Sequence, residues 1–189
     1  MSGYESIDSE TIWSGKIITV SIERLRHADG QVVTREKVSH PGAVAMLAVD
    51  DEHVWLTRQP REVVGLTDSL EIPAGKLDVD GEAPLAAAQR ELAEEIGMRA
   101  DRWSELKAFY SSAGFSDERM TCYLAQGLSP ATANATAAAE ENERIEIVRW
   151  PLGDLDGAIA QCEDAKSLIA LLWLSRARER GDLRPPGAA

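Results

Sequence analysis

The sequence has few cysteines and no long apolar run. Its two cysteines, Cys122 and Cys162, cannot form a disulfide framework, and no cysteine or histidine spacing of a zinc site is present. No stretch approaches the ~20 apolar residues that a membrane span requires. The first residues, MSGYESIDSE, also lack the apolar core of a signal peptide. We therefore predict a cytoplasmic protein with reduced thiols and no membrane partner.

Positive charge is also scarce. The chain has 20 Lys plus Arg against 32 Asp plus Glu, so its formal net charge is −12. Such a surface repels the phosphate backbone of nucleic acids, and we expect no nucleic-acid partner. It would also repel a small anionic ligand, unless metal ions and a few arginines reverse the local field. With 189 residues, the chain is long enough for one domain with a sizeable core.

What the chain does have is a dense group of charges in residues 75–98, GKLDVDGEAPLAAAQRELAEEIGM. At about 100° per residue, Glu91 and Glu95 lie roughly 40° apart around a helix axis, with Glu94 beside them. Like charges this close repel one another unless a positive group lies among them, and carboxylate oxygens suit Mg²⁺ or Mn²⁺. The pattern indicates a metal site. The alternative is a solvated acidic helix face on which Arg90 and Glu94 form an ordinary i,i+4 pair.

An apolar stripe accompanies these charges. Leu85, Ala88, Leu92 and Ile96 recur at the spacing of one helix face, and Pro84 fits the first turn of the helix. We therefore expect a helix whose buried stripe places the glutamates at the edge of the core, where solvent screens their charges less well.

The rest of the chain alternates strand and helix patterns without internal repeats. Residues 11–25 and 31–39 flank the turn signal Ala28-Asp29-Gly30, which predicts a hairpin. Further strands are expected at 43–49, 53–59, 105–111, 119–126 and 144–150, and helices at 83–96, 153–162 and 164–180. This order predicts an α/β fold with a mixed sheet and helices on its faces.

The charged segment resembles the Nudix box, G-x5-E-x7-R-E-U-x-E-E-x-G-U, in which U is apolar. Every position from Glu82 to Met98 matches. Six residues, where the box has five, separate Gly75 from Glu82, and an insertion in a loop ahead of a helix leaves the helix phase unchanged. The resemblance implies a hydrolase with the Nudix α/β/α sandwich, a mixed β-sheet and an additional N-terminal antiparallel β-hairpin region. The expected division is 1–40 for the N-terminal strands, 41–181 for the Nudix hydrolase domain and 182–189 for a disordered tail.

Five shorter segments resemble the ADP-ribose pyrophosphatase branch of that superfamily. They are HPGAV (40–44), RQPR (58–61), LEIPAG (70–75), GFSDE (114–118) and DAKSL (164–168). The branch implies Mg²⁺-dependent hydrolysis of ADP-ribose to AMP and ribose 5-phosphate, with Mn²⁺ as a possible substitute. One departure is Ala113, which stands where the branch commonly has proline. Another nucleoside diphosphate sugar or a dinucleotide is therefore the alternative substrate. A non-catalytic Nudix ligand sensor is a third interpretation, but such a domain would be expected to lose box glutamates.

The resemblance also implies a ligand set for the metal. Glu91 and Glu95 would bind it together with the backbone carbonyl of Ala74, and Glu94 would contribute directly or through water. The other box residues are expected to be structural, with Arg90 pairing with Glu82 to fix the loop; they are Gly75, Glu82, Arg90 and Gly97.

In the same branch the catalytic base often lies in an acidic loop after the box. Here that loop is 139–143, AEENE. We expect Glu141 to be the base and Glu143 to be an additional metal ligand. A solvated acidic loop is the alternative for either residue.

Substrate contacts are implied less directly. Arg61 is the expected phosphate contact and Arg58 the fallback, with a surface salt bridge as the alternative for both. Trp13 stands near where this branch places a side chain over adenine, with core or dimer packing as the alternative. Glu118 would approach the metals or the ribose phosphate. Because the N-terminal strands commonly exchange between subunits in this branch, a homodimer is expected, although a monomer with an edge sheet fits the same pattern.

Overall fold

The computed structural model describes residues 3–131 and 144–183, which form two compact units. One unit contains residues 3–42 and Phe109–Met120, and the other contains Ala43–Ala108, residues 121–131 and residues 144–183. Among the described residues, no helix combines the length and apolar character needed to cross a membrane. The acidic helix lies in the second unit, which therefore carries the site.

An antiparallel sheet forms most of the first unit. Its strands, in spatial order, are β1 (Tyr4–Ser14), β2 (Thr19–His27) and β3 (Val32–Ser39). The single strand predicted over 11–25 is wrong, because the chain reverses at Gly15, whose N–H donates to the carbonyl of Ile18 at 2.9 Å. A Cβ at Gly15 would lie 2.1 Å from the Trp13 ring, so glycine leaves room for that ring beside the turn. The predicted turn before β3 is confirmed, with Gly30 at a φ of 88°.

The second unit is built on a mixed sheet of seven strands. The strands are β4 (Ala43–Val49), β5 (His53–Arg61), β6 (Leu66–Glu71), β7 (Ala74–Lys76), β8 (Met98–Tyr110), β9 (Arg119–Pro130) and β10 (Glu146–Pro151), and the helices are α1 (Pro84–Ile96), α2 (Leu155–Gln161) and α3 (Ala165–Glu179). The order is β10-β5-β4-β9-β8, with β6 paired to β5 and β7 paired to β4. These elements confirm the predicted helices. The strand predicted near residue 105 begins instead at Met98, because Gly97 ends α1 with a φ of 66° and turns the chain directly into β8.

Strand β4 forms the centre of the core and is buried along its whole length. One of its faces, including Val44 and Met46, packs against Ala88 and Leu92 of α1. The alternate residues point to the opposite face of the sheet and are equally buried, and α3 contacts β4. Helices thus cover both faces of the sheet, and the predicted α/β sandwich is confirmed.

The apolar stripe of α1 differs in one position from the predicted one. Leu85 is 38% exposed, so its expected burial is wrong. Burial begins one half-turn later, at Ala87 and Ala88, and continues through Leu92 to Ile96. The first turn therefore contributes little to the core. Pro84 begins the helix because the fixed φ of proline suits the first helical position, and not because its side chain packs against the core.

Candidate metal and diphosphate site

The carboxylate of Glu91 lies directly over the backbone of Gly75. Gly75 is the central residue of β7 and pairs with Val44 of β4, so its position is set by the sheet. A Cβ built on Gly75 would lie 2.0 Å from Cδ of Glu91. The absence of a side chain at Gly75 therefore makes room for the Glu91 carboxylate.

The carboxylate of Glu95 lies one turn further along α1, against the preceding residue of β7. The backbone N–H of Ala74 donates to Oε2 of Glu95 at 3.0 Å. The helix spacing thus places two carboxylates against two successive residues of one short strand. The carbonyl of Ala74, the third expected ligand, belongs to the same stretch of backbone.

A guanidinium group lies among these acidic side chains. Arg90 donates to both oxygens of Glu82 at 3.1 and 3.0 Å, to Oε1 of Glu91 at 2.8 Å and to Oε2 of Glu94 at 2.9 Å. These bonds, led by the one to Glu82, raise the pKa of Arg90, and the same contact lowers the pKa of Glu82. The expected contact between Arg90 and Glu82 is present, and so is the i,i+4 pair with Glu94. Arg90 therefore supplies part of the positive charge that the crowded carboxylates need, and the sequence pattern alone had attributed that charge to a metal.

The residues present still fit a divalent cation. All the side-chain donors are carboxylate oxygens, which are the ligands that Mg²⁺ and Mn²⁺ prefer. Gly75 leaves room for one of them, and the Ala74 N–H holds another in place. Across the described ranges, no group of three or more His, Cys, Asp or Glu side chains is already gathered at metal-binding spacing. The two other expected contributors, Glu141 and Glu143, lie outside the described residues.

A second ionic cluster, which sequence reasoning did not anticipate, surrounds Glu71 at the end of β6. Glu71 is 1% exposed and receives two hydrogen bonds from Arg61, from Nε at 2.6 Å and from Nη2 at 2.5 Å. Lys166, also buried, donates to the same carboxylate and forms a salt bridge with Asp164, with Nζ 2.9 Å from Oδ2. Burial alone would raise the pKa of Glu71, but the Arg61 hydrogen bonds and the Lys166 charge lower it to about 2. Glu71 is thus held as a buried anion between two cations.

One sequence signal points to this cluster. Glu71 stands between Leu70 and Ile72, both fully buried, and a charge inside a buried strand requires an ionic partner. Arg61 is close in sequence on the adjacent strand. Lys166 is 95 residues away, so no local pattern could identify it.

Acid is expected to destabilise the fold through Glu71. Because its pKa falls from 4.5 to about 2 on folding, its contribution is complete above pH 4.5 and is lost as the pH falls through about 2. The contribution is on the order of 3 kcal/mol of unfolding free energy. In urea titrations across this window, Glu71→Gln should lose less stability than the wild type. The exposed Glu105→Gln should follow the wild type, and parallel curves for Glu71→Gln and the wild type would refute this expectation.

The two arginines proposed for substrate binding both have acidic partners. Arg61 uses Nε and one of its terminal nitrogens on Glu71, and its side chain is 43% exposed. Arg58 donates to Asp68 at 2.9 Å and to Gln161 at 2.8 Å, and its side chain is 23% exposed. The salt-bridge alternative is therefore present for both. Arg61 has the greater exposure, and among the described residues only one edge of its guanidinium is hydrogen-bonded, so it is the better placed to contact a ligand.

Trp13 and Glu118 belong to the first unit. Trp13 lies on β1 opposite Val20 and is 55% exposed, so the core-packing alternative is wrong for the single chain. Glu118 accepts a hydrogen bond from Ser111 at 2.5 Å, and its other oxygen lies 3.6 Å from Nδ1 of His40. These contacts hold the Glu118 carboxylate at the start of β9.

Comparisons with known proteins extend the resemblance beyond the box. The NUDIX domain model matches residues 39–172. An ADP-ribose pyrophosphatase of Bacillus subtilis is 39% identical over 173 residues, which are 90% of this chain and 91% of the relative. An ADP-ribose pyrophosphatase of Mycobacterium tuberculosis is 44% identical over 126 residues, which are 66% of this chain and 60% of the relative. The crystal structure of an ADP compounds hydrolase matches with a TM-score of 0.79 and 26% identity, covering 96% of each chain.

Proposed function

This chain belongs to the NUDIX family, and from that premise we propose that it hydrolyses the diphosphate bond of ADP-ribose, giving AMP and ribose 5-phosphate. The relatives named ADP-ribose pyrophosphatase support this substrate, and the match to one of them extends over 90% of the chain. The observation that carries the proposed chemistry is the placement of Glu91 and Glu95 against Gly75 and Ala74. Two carboxylates of α1 held against one short strand would form the core of a divalent cation site.

We propose Mg²⁺ as the cofactor, with Mn²⁺ able to replace it. Glu91, Glu95, the Ala74 carbonyl and Glu94 would hold it, and Glu143 would add a further oxygen. When bound, the ion neutralises charge on the phosphate oxygens. Arg90 and Glu82 fix the loop between β7 and α1, which keeps the carboxylates in place.

The remaining steps belong to side chains of this protein. Glu141 accepts the proton of the attacking water, and Arg61 donates to a phosphate oxygen through the edge that Glu71 leaves exposed. Arg58 is the fallback for that contact. Trp13 packs against adenine and Glu118 approaches the ribose phosphate or the metals. We further propose a cytoplasmic homodimer whose N-terminal strands contribute to the partner's site.

Ala113 favours a second candidate substrate. The turn around it differs from the Ser-Pro-Gly turn common in the ADP-ribose branch. The same chemistry on another nucleoside diphosphate sugar, or on a dinucleotide, is therefore the alternative.

A substrate panel tests both candidates. ADP-ribose, ADP-glucose, GDP-mannose, NADH and diadenosine polyphosphates are compared with Mg²⁺, with the products identified by chromatography. ADP-ribose should rank first in kcat/KM by at least about tenfold, a difference of roughly 1.4 kcal/mol in transition-state binding, and a chelator should abolish turnover. Another compound ranking first would favour the alternative, and no turnover of any compound would favour a ligand sensor.

A further inference from the structure

The N-terminal turn of α3 holds the end of β6 at two successive residues. The hydroxyl of Ser167 accepts from the backbone N–H of Ile72 at 2.9 Å and donates to Asp164 at 2.6 Å. Beside it, Lys166 donates to the buried carboxylate of Glu71. Glu71, Ile72, Lys166 and Ser167 are all buried, so the contacts among them belong to the packed interior.

Lys166 is the second cation beside the Glu71 carboxylate, and it also pairs with Asp164. Arg61 already forms two hydrogen bonds with the carboxylate of Glu71, and burying a second cation beside it carries a desolvation cost. A buried ion pair of this kind can often be replaced by apolar residues without loss of stability. A bidentate pair does, however, fix the plane of a guanidinium group. What Lys166 adds is a second anchor for the carboxylate that sets this plane.

The guanidinium of Arg61 lies within electrostatic range of one box carboxylate. Glu71, Asp164 and Glu95 all contribute negative charge that acts on Arg61, and Glu95 is one of the proposed metal ligands. The side chain of Arg61 remains 43% exposed although one edge is fully engaged. Its outer edge is therefore available to a bound anion.

We propose that Lys166 is a positioning residue for diphosphate binding. It anchors Glu71, and Glu71 fixes the Arg61 guanidinium so that its free edge faces a phosphate oxygen of the substrate. Lys166 itself touches no substrate. The proposal rests on the proposed function, because it requires a diphosphate next to the box.

A double-mutant cycle between Lys166→Met and Arg61→Ala tests this role with ADP-ribose and Mg²⁺. An arginine–phosphate contact formed in both ground and transition states affects KM more than kcat. Arg61→Ala should raise KM about thirtyfold and Lys166→Met about tenfold, each with kcat within about threefold of the wild type. In the Arg61→Ala background, Lys166→Met should change KM by less than about twofold, since the group it positions is gone.

Further variants separate positioning from general damage. Lys166→Arg keeps a positive charge beside Glu71 and should recover KM to within about threefold of the wild type. Lys107→Met removes a lysine from the exposed face of β8 and should leave KM unchanged. If Lys166→Met does not fold, Glu71→Gln/Lys166→Met removes both buried charges together and takes its place in the cycle. An equal effect of the substitution with and without Arg61, or a loss confined to kcat, would overturn the proposal in an active enzyme. A wild type that hydrolyses no diphosphate would instead overturn the proposed function, and this inference with it.

Discussion

Replacing Glu95 by glutamine is expected to lower kcat for ADP-ribose by about a thousandfold, which corresponds to roughly 4 kcal/mol of transition-state stabilisation. Glutamine keeps the length of the side chain, and its carbonyl oxygen can still accept from the Ala74 N–H, which lies 3.0 Å from Glu95. The change therefore removes the charge of a proposed metal ligand while retaining the local hydrogen bond. The unfolding free energy should change by less than about 1 kcal/mol.

The matched control for this variant is Glu105→Gln. Glu105 lies on β8 with an exposed side chain, so its replacement removes the same charge away from the site. Its kcat should equal that of the wild type. A Glu95→Gln enzyme with nearly normal turnover would remove Glu95 from the metal site.

Gly75→Ala is expected to lower kcat by about a hundredfold without unfolding the protein. The new Cβ would lie 2.0 Å from Cδ of Glu91, so the carboxylate must move. A displacement of about 1 Å in a catalytic group is enough for a loss of this size. The clash involves the end of a flexible side chain, and Gly75 is not among the glycines with positive φ. Stability should therefore change little, because alanine is compatible with this backbone.

Gly153→Ala provides the control for the added methyl group. A Cβ at Gly153 meets nothing within 4 Å, and the residue lacks a positive φ. Its kcat and melting temperature should match the wild type. If Gly75→Ala were fully active, the close approach of Glu91 to β7 would have no catalytic importance.

The acidic helix could be predicted from sequence because its determinants are local. Pro84 marks its start and Gly97 its end, and the period of Leu92 and Ile96 identifies the buried face. The box spacing then places the glutamates. Leu85 deviates because periodicity states which face a residue occupies, not whether the sheet extends far enough to cover the first turn.

Non-local contacts were the ones that sequence could not supply. The partner of Glu71 on α3 lies 95 residues away. The reversal at Gly15 is local, but apolar and polar residues alternate on both sides of Ser14-Gly15, so two strands read as one. The predicted phosphate contact Arg61 was likewise identified without its buried partner.

The electrostatic interpretation of the acidic helix has also changed. The sequence pattern suggested a metal because several carboxylates crowd together. Arg90 neutralises part of that charge through Glu82, Glu91 and Glu94. The stronger argument for a metal is now geometric, because Glu91 and Glu95 lie against the backbone of β7.

Manganese binding tests the metal site independently of turnover. Free Mn²⁺ is measured by electron paramagnetic resonance during titration of the wild type, Glu95→Gln and Glu105→Gln. We predict that Mn²⁺ binds the wild type and Glu105→Gln equally. Glu95→Gln should weaken binding by about a hundredfold or more, because even residues that only support the ligands can change metal affinity by about 10–100-fold. Equal Mn²⁺ affinity in Glu95→Gln and the wild type would contradict a metal site on this helix.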